Sequence, residues 1–85
     1  IHYEASMTIP EVILYMRKDC CLCHDMYQQL RELQLEYDFK IILRDIGRNM
    51  DWDKKYGSKI PVITFNNVEI CNYFLDLESF KKHLV

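Results

Sequence analysis

Residues 12–23 read VILYMRKDCCLC, an apolar run that gives way, within a few positions, to three crowded thiols. Val12, Ile13, Leu14 and Tyr15 form a continuous apolar stretch, the pattern of a central strand covered on both faces. From Leu22 the period changes. Leu22, Met26, Leu30 and Leu33 recur at helical spacing with Asp25, Gln29, Arg31 and Glu32 between them, which predicts an amphipathic helix. Cys20 and Cys23 therefore form a C-x-x-C pair at a strand-to-helix junction, where the free amides and dipole of a helix N-terminus favour a thiolate.

With Cys20 as the N-cap, its sulfur is expected near the unpaired amides of the first turn and toward solvent. Arg17 and Lys18 add positive charge there, and Asp19 opposes them. Cys23 falls one turn later on a face shared with Met26, Tyr27 and Leu30, so it is expected to be more buried and less acidic. That asymmetry suits a two-step thiol-disulfide exchange in which Cys20 attacks and Cys23 resolves. Three other readings compete. The cysteines could be inert core residues, or the domain could be a redox-inactive interaction module. Alternatively Cys20, Cys21, Cys23, His24 and Cys71 could hold a metal or iron-sulfur cluster, shared between two chains if necessary, although the second well-spaced pair usual for structural zinc is missing. His24 is expected to turn sideways or to solvent, and His2 and His83 carry no spacing argument.

Working outward, Phe39, Ile41, Ile42 and Leu43 give a second strand ending near Asp45. Asn49 can cap a short helix that carries Trp52 and Tyr56, with Gly57 as its stop. Trp52 and Tyr56 read as helix-to-sheet packing. Val62 to Phe65 and Val68 to Cys71 are strand-like runs joined by Asn66-Asn67, a pair that tolerates the positive φ of a tight hairpin. Asp76 can cap a last helix with Leu77, Phe80 and Leu84 on one stripe. The order is βαβαββα, an α/β fold: the opening strand-helix-strand implies a right-handed parallel crossover, and the closing hairpin makes the four-stranded sheet mixed, flanked by three helices.

The 85 residues make one small domain, and a hydrophobic fraction of 49% is enough for a packed interior. A net charge of -2 supplies no basic field for a phosphate backbone, so nucleic acid is not expected as a partner. No apolar stretch approaches the ~20 residues of a membrane span, and no signal peptide opens the chain. The expectation is a cytoplasmic monomer. Residues 1–9 show no clear period and are read as an N-terminal extension, with Met7-Thr8 as a possible native start, ahead of a domain spanning residues 10–85.

The run VILYMRKDCCLC, then DIGRNMDWDKKYGSKIPVITFNN at residues 45–67, then a short closing helix, resembles a glutaredoxin, and within that group the small bacterial-type glutaredoxin-like members with a C-x-L-C site. The likeness covers about residues 11 to 84. Its specific parts are Cys20-x-Leu22-Cys23, Tyr56-Gly57 and Ile60-Pro61-Val62. It implies a thioredoxin-like fold with strand order 2-1-3-4, and a thiol-disulfide oxidoreductase in which Cys20 and Cys23 are catalytic and Lys18, Ile60 and Pro61 contact substrate. Pro61 matches the family's cis-proline, whose use is to let the Ile60 backbone pair with an extended peptide or glutathione. The implied partners are protein disulfides or glutathione mixed disulfides, with no bound cofactor and no metal. Two departures matter. The family's Gly-Gly pair falls on Cys71-Asn72, which puts glutathione as co-substrate in doubt, and Cys21 replaces the proline usual between the active cysteines.

Overall fold

The computed structural model describes residues 9–84. The N-terminal extension up to Thr8, with the Met7 start, lies outside the described residues, as does Val85. The described chain runs β1 (Glu11–Met16), α1 (Cys21–Leu33), β2 (Lys40–Asp45), α2 (Met50–Tyr56), β3 (Val62–Phe65), β4 (Val68–Asn72) and α3 (Leu77–Leu84), with a single 3-10 turn at Ile46–Arg48. The strands lie in the order β2-β1-β3-β4. β1 pairs parallel with β2 and antiparallel with β3, and β3 pairs antiparallel with β4. This is the mixed α/β arrangement expected from the pattern of the chain.

The continuous apolar run of β1 is explained by its two covered faces. Val12 and Leu14 are fully buried in a core with Met26 and Leu30 of α1, Ile63 of β3 and Phe80 of α3. On the opposite face Tyr15 packs with Ile46, Tyr56 and Val62, and Trp52 closes over them. The Tyr15 ring stacks on Tyr56 at 4.1 Å between centroids and meets Trp52 edge-on, a geometry favoured by the quadrupoles of the rings.

Local chemistry sets the ends of the elements. Asn49 Oδ1 accepts from the backbone of Asp51 and Trp52, capping α2. Asp76 accepts from both the amide and the hydroxyl of Ser79, which caps α3 and holds its carboxyl below the usual carboxylate range. The hairpin residues Asn66 and Asn67 have φ of 52° and 66°, the pair of positive values that a two-residue turn needs to follow the strand twist. Past this turn a shift of register between Ile63 and Thr64 leaves Ile70 as the extra residue on β4.

Two local expectations need correcting. Leu22 and Leu77 are exposed, at 36% and 40%, each in the first turn of its helix. The buried stripe of α1 is Cys23, Met26 and Leu30. Gly57 ends α2 as expected, in a right-handed conformation with φ of -57°, so no left-handed turn demands it. Its requirement is space: a Cβ there would collide with the Asp53 carbonyl and carboxylate.

Replacing Leu30, fully buried, with alanine should cost ~2–5 kcal/mol in chemical denaturation. An Asn67→Val change should cost ~1–2 kcal/mol by forcing a β-branched residue into left-handed backbone.

Candidate functional site

The sheet register gathers four segments at one edge. Met16 lies opposite Asp45, Tyr15 opposite Val62, and Val62 opposite Asn72. The loop from Arg17 to Cys20, the turn after Asp45, the Ile60-Pro61 segment and the residues after Asn72 therefore leave the sheet from the same end. Cys20 stands near the middle of this end because β1 is a central strand.

Cys20 is the N-cap of α1, with extended backbone at φ -104° and ψ 113°. Its Sγ accepts a hydrogen bond from the Cys23 amide at 3.1 Å, so the sulfur takes the place of the oxygen of an ordinary capping side chain. It is partly exposed, whereas Cys23 is 1% exposed. Burial pushes the Cys23 thiol up to about 12, reinforced by its hydrogen bond to Cys20 and opposed by the Arg17 backbone. A sulfur open to solvent and aimed at by an amide thus sits one turn above a sulfur that stays protonated at neutral pH. Chemically, such a pair can divide nucleophile and resolving thiol between two positions.

Cys21, at the first helical position, is exposed. Cys71 is partly buried on β4 and packs against the main core. Its thiol is raised by burial, with the Asp76 backbone pulling the other way. All four cysteines are free, and among the described residues no group of three or more His, Cys, Asp or Glu side chains converges to hold a metal ion.

The other sequence candidates take different positions. Lys18 is exposed, and its carbonyl accepts from His24 Nε2 at 2.7 Å. His24 therefore turns aside as expected, and in doing so it ties the loop before Cys20 to the first turn of α1. Ile60 is half-buried against the second core. The Ile60-Pro61 peptide bond is cis. Pro61 is fully buried and its carbonyl accepts from Tyr73 N at 2.9 Å. Its ring offers no surface to a ligand, which narrows the expected contact to the Ile60 backbone, where no hydrogen bond forms among the described residues.

Sequence reading missed Tyr73 and Phe74. Tyr73 has φ of 63°, unusual for a residue with a bulky side chain. That turn lets its amide reach Pro61 while its hydroxyl donates to the Ser58 carbonyl. Phe74, 70% exposed, is carried to the surface beside it. With Leu75 they face Leu22, Met26 and Gln29 of α1 across a groove of about 160 Å³. The one signal was the replacement of the family's Gly-Gly pair by Cys71-Asn72, immediately before Tyr73.

The model of the glutaredoxin-like domain (DUF836) matches residues 11–85. A protein of Nitrosomonas europaea, solved by solution NMR, is similar at 30% identity and a TM-score of 0.83, over 92% of this chain and 94% of that one. A malarial protein shares the fold at 21% identity and a TM-score of 0.67, over 92% and 100% of the two chains. Thioredoxin 1 of the thermophilic eubacterium Thermosipho africanus does so at 13% identity and 0.59, over 87% and 93%. No curated protein matches the chain.

The raised Cys23 thiol has a measurable effect on stability. Because its folded value of about 12 lies above the 9.0 of an unperturbed thiol, the folded state holds the proton more tightly. The stabilisation is complete below pH 9 and is lost as pH rises toward 12. The reduced protein should lose up to about 1.4 kcal/mol per pH unit across that window from this group. A Cys23→Ala variant should show a correspondingly shallower alkaline slope in denaturant titrations.

Proposed function

The chain belongs to the glutaredoxin-like domain family, and from that membership we propose that it is a small thiol-disulfide oxidoreductase. The observation that carries this reading is the pairing of a capping, partly exposed Cys20 with a buried Cys23 whose amide donates to the Cys20 sulfur.

Cys20, as thiolate, attacks one sulfur of a substrate disulfide. A bond forms between Cys20 and that sulfur, the substrate S–S bond breaks, and the departing sulfur leaves as a thiolate that takes a proton from solvent. Cys23 then loses its proton and attacks the Cys20 sulfur. The Cys20–Cys23 disulfide forms, the mixed disulfide breaks, and the second substrate thiol is released. Two electrons have passed to the substrate, and the protein disulfide awaits reduction by an external thiol such as glutathione or by a dithiol reductase. The half-buried Ile60 offers backbone groups with which an extended substrate can pair, while Lys18 adds positive charge beside the attacking thiol. Protein disulfides and glutathione mixed disulfides are the substrates of this scheme. Among the described residues no helix is long and apolar enough to cross a membrane.

A Cys20→Ser variant should lose disulfide reduction altogether, and activity that survives the change would overturn the assignment. A Cys23→Ser variant should instead stop after the first step and accumulate a mixed disulfide that mass spectrometry can identify. The resolving step should accelerate with pH between 7 and 10 in rapid-mixing experiments. Burial, the main cause of the high Cys23 value, persists when Cys20 is in the mixed disulfide, so each unit of pH raises the small thiolate fraction of Cys23.

A further inference from the structure

On the β2 side of the same sheet end lies a cavity of about 360 Å³, between Met16 at the end of β1 and Lys18 of the loop after it, and Leu43, Arg44, Arg48 and Trp52. Its charges are unbalanced. Lys18, Arg44 and Arg48 contribute three cations, and among the described residues none of them makes an ion pair. The carboxylate that also lines the cavity, Asp45, accepts from the Gly47 amide at 2.9 Å, where it caps the 3-10 turn, and offsets one of the three charges. Nearby Arg17 is neutralised by Asp53 at 2.7 Å and adds nothing.

Arg44 is held rather than free. Its guanidinium lies 5.0 Å from the Trp52 ring centroid and 5.6 Å from that of Tyr15, and donates to the Tyr15 hydroxyl at 2.9 Å. Such stacking fixes a planar fork of donors in one orientation while leaving most of its N–H groups unused, the preorganised state suited to a carboxylate. The chain as a whole carries -2, so this cationic corner runs against its average charge.

We propose that this cavity is a specificity subsite that receives an acidic side chain lying beside the disulfide of a protein substrate. The inference rests on the dithiol reading only for the word substrate, since the charge and shape of the cavity stand apart from Cys20. Lys18, two residues before Cys20 and on the rim of the cavity, joins the two. Leu43, 48% exposed, and the half-buried Met16 give the floor an apolar character that fits the methylene stem of a glutamate below its carboxylate.

Trp52, the one tryptophan of the chain, lines the cavity and reports on it. Two short synthetic peptides are titrated against its fluorescence, alike except that one carries glutamates where the other carries glutamines. Both have serines in place of disulfide-forming cysteines, so no redox step intervenes. The acidic peptide should bind at least about 10-fold more tightly, weaken as salt is raised, and lose its advantage in an Arg48→Gln variant. Arg48 is exposed, so its replacement leaves the core intact. Equal binding of the two peptides, or a preference that survives Arg48→Gln, overturns the proposal. So does saturable binding of S-methylglutathione in place of the acidic peptide, which would assign the cavity to the tripeptide. A Cys20→Ser variant should keep the peptide preference, and if disulfide reduction by the wild-type protein fails while that preference holds, the dithiol reading falls alone.

Discussion

Everything at the functional end of this domain depends on the burial of one strand. β1 is hydrogen-bonded on both edges and covered on both faces, with Val12 and Leu14 at zero exposure. A strand so constrained cannot slide, because a shift by one residue would exchange the side chains facing its two cores. Its C-terminal end therefore delivers Arg17 to Cys20 to a fixed place, between the exits of β2 and β3. Hydrophobic burial, itself non-directional, becomes positional information through the register of the ladder.

The two sides of that place differ. Toward β4 the groove between α1 and the Tyr73–Leu75 segment is bordered by exposed Leu22, Tyr73 and Phe74. Toward β2 the cavity beside Lys18 is lined by three cations, one of which, Arg44, stacks on Trp52 and Tyr15. Cys20 lies between an apolar flank and a basic one. On the proposed reading, the small sulfur chemistry is generic to the family, and discrimination among substrates falls to these flanks, which owe nothing to the C-x-x-C itself.

What could be read in the chain follows the range of the interactions concerned. The Cys20 cap, the Asn49 and Asp76 caps and the Asn66-Asn67 turn are decided by neighbours within four residues, and all were legible. The double burial of β1 was legible because an uninterrupted apolar run leaves few alternatives. The exposure of Leu22 and Leu77 was not, since periodicity shows which residues share a face but not how much of that face the rest of the fold covers. The stacking of Arg44 on Trp52 and Tyr15 was hidden for the same reason: it joins β2, α2 and β1, and only the register brings them together. Tyr73 was missed because a left-handed tyrosine contradicts its local preference, and tertiary bonds to Pro61 and Ser58 override it.

The spacing of the two sulfurs also has a kinetic meaning. Cys23 is tethered one helical turn behind Cys20 by a rigid backbone, so the encounter between them is governed by geometry and not by the amount of any thiol in solution. On the proposed reading, a mixed disulfide on Cys20 would carry an internal clock: its lifetime would be set by how rarely Cys23 sheds its proton. A slow clock gives a covalently held protein time to rearrange before release, while dilution of the surrounding thiol pool leaves the interval unchanged.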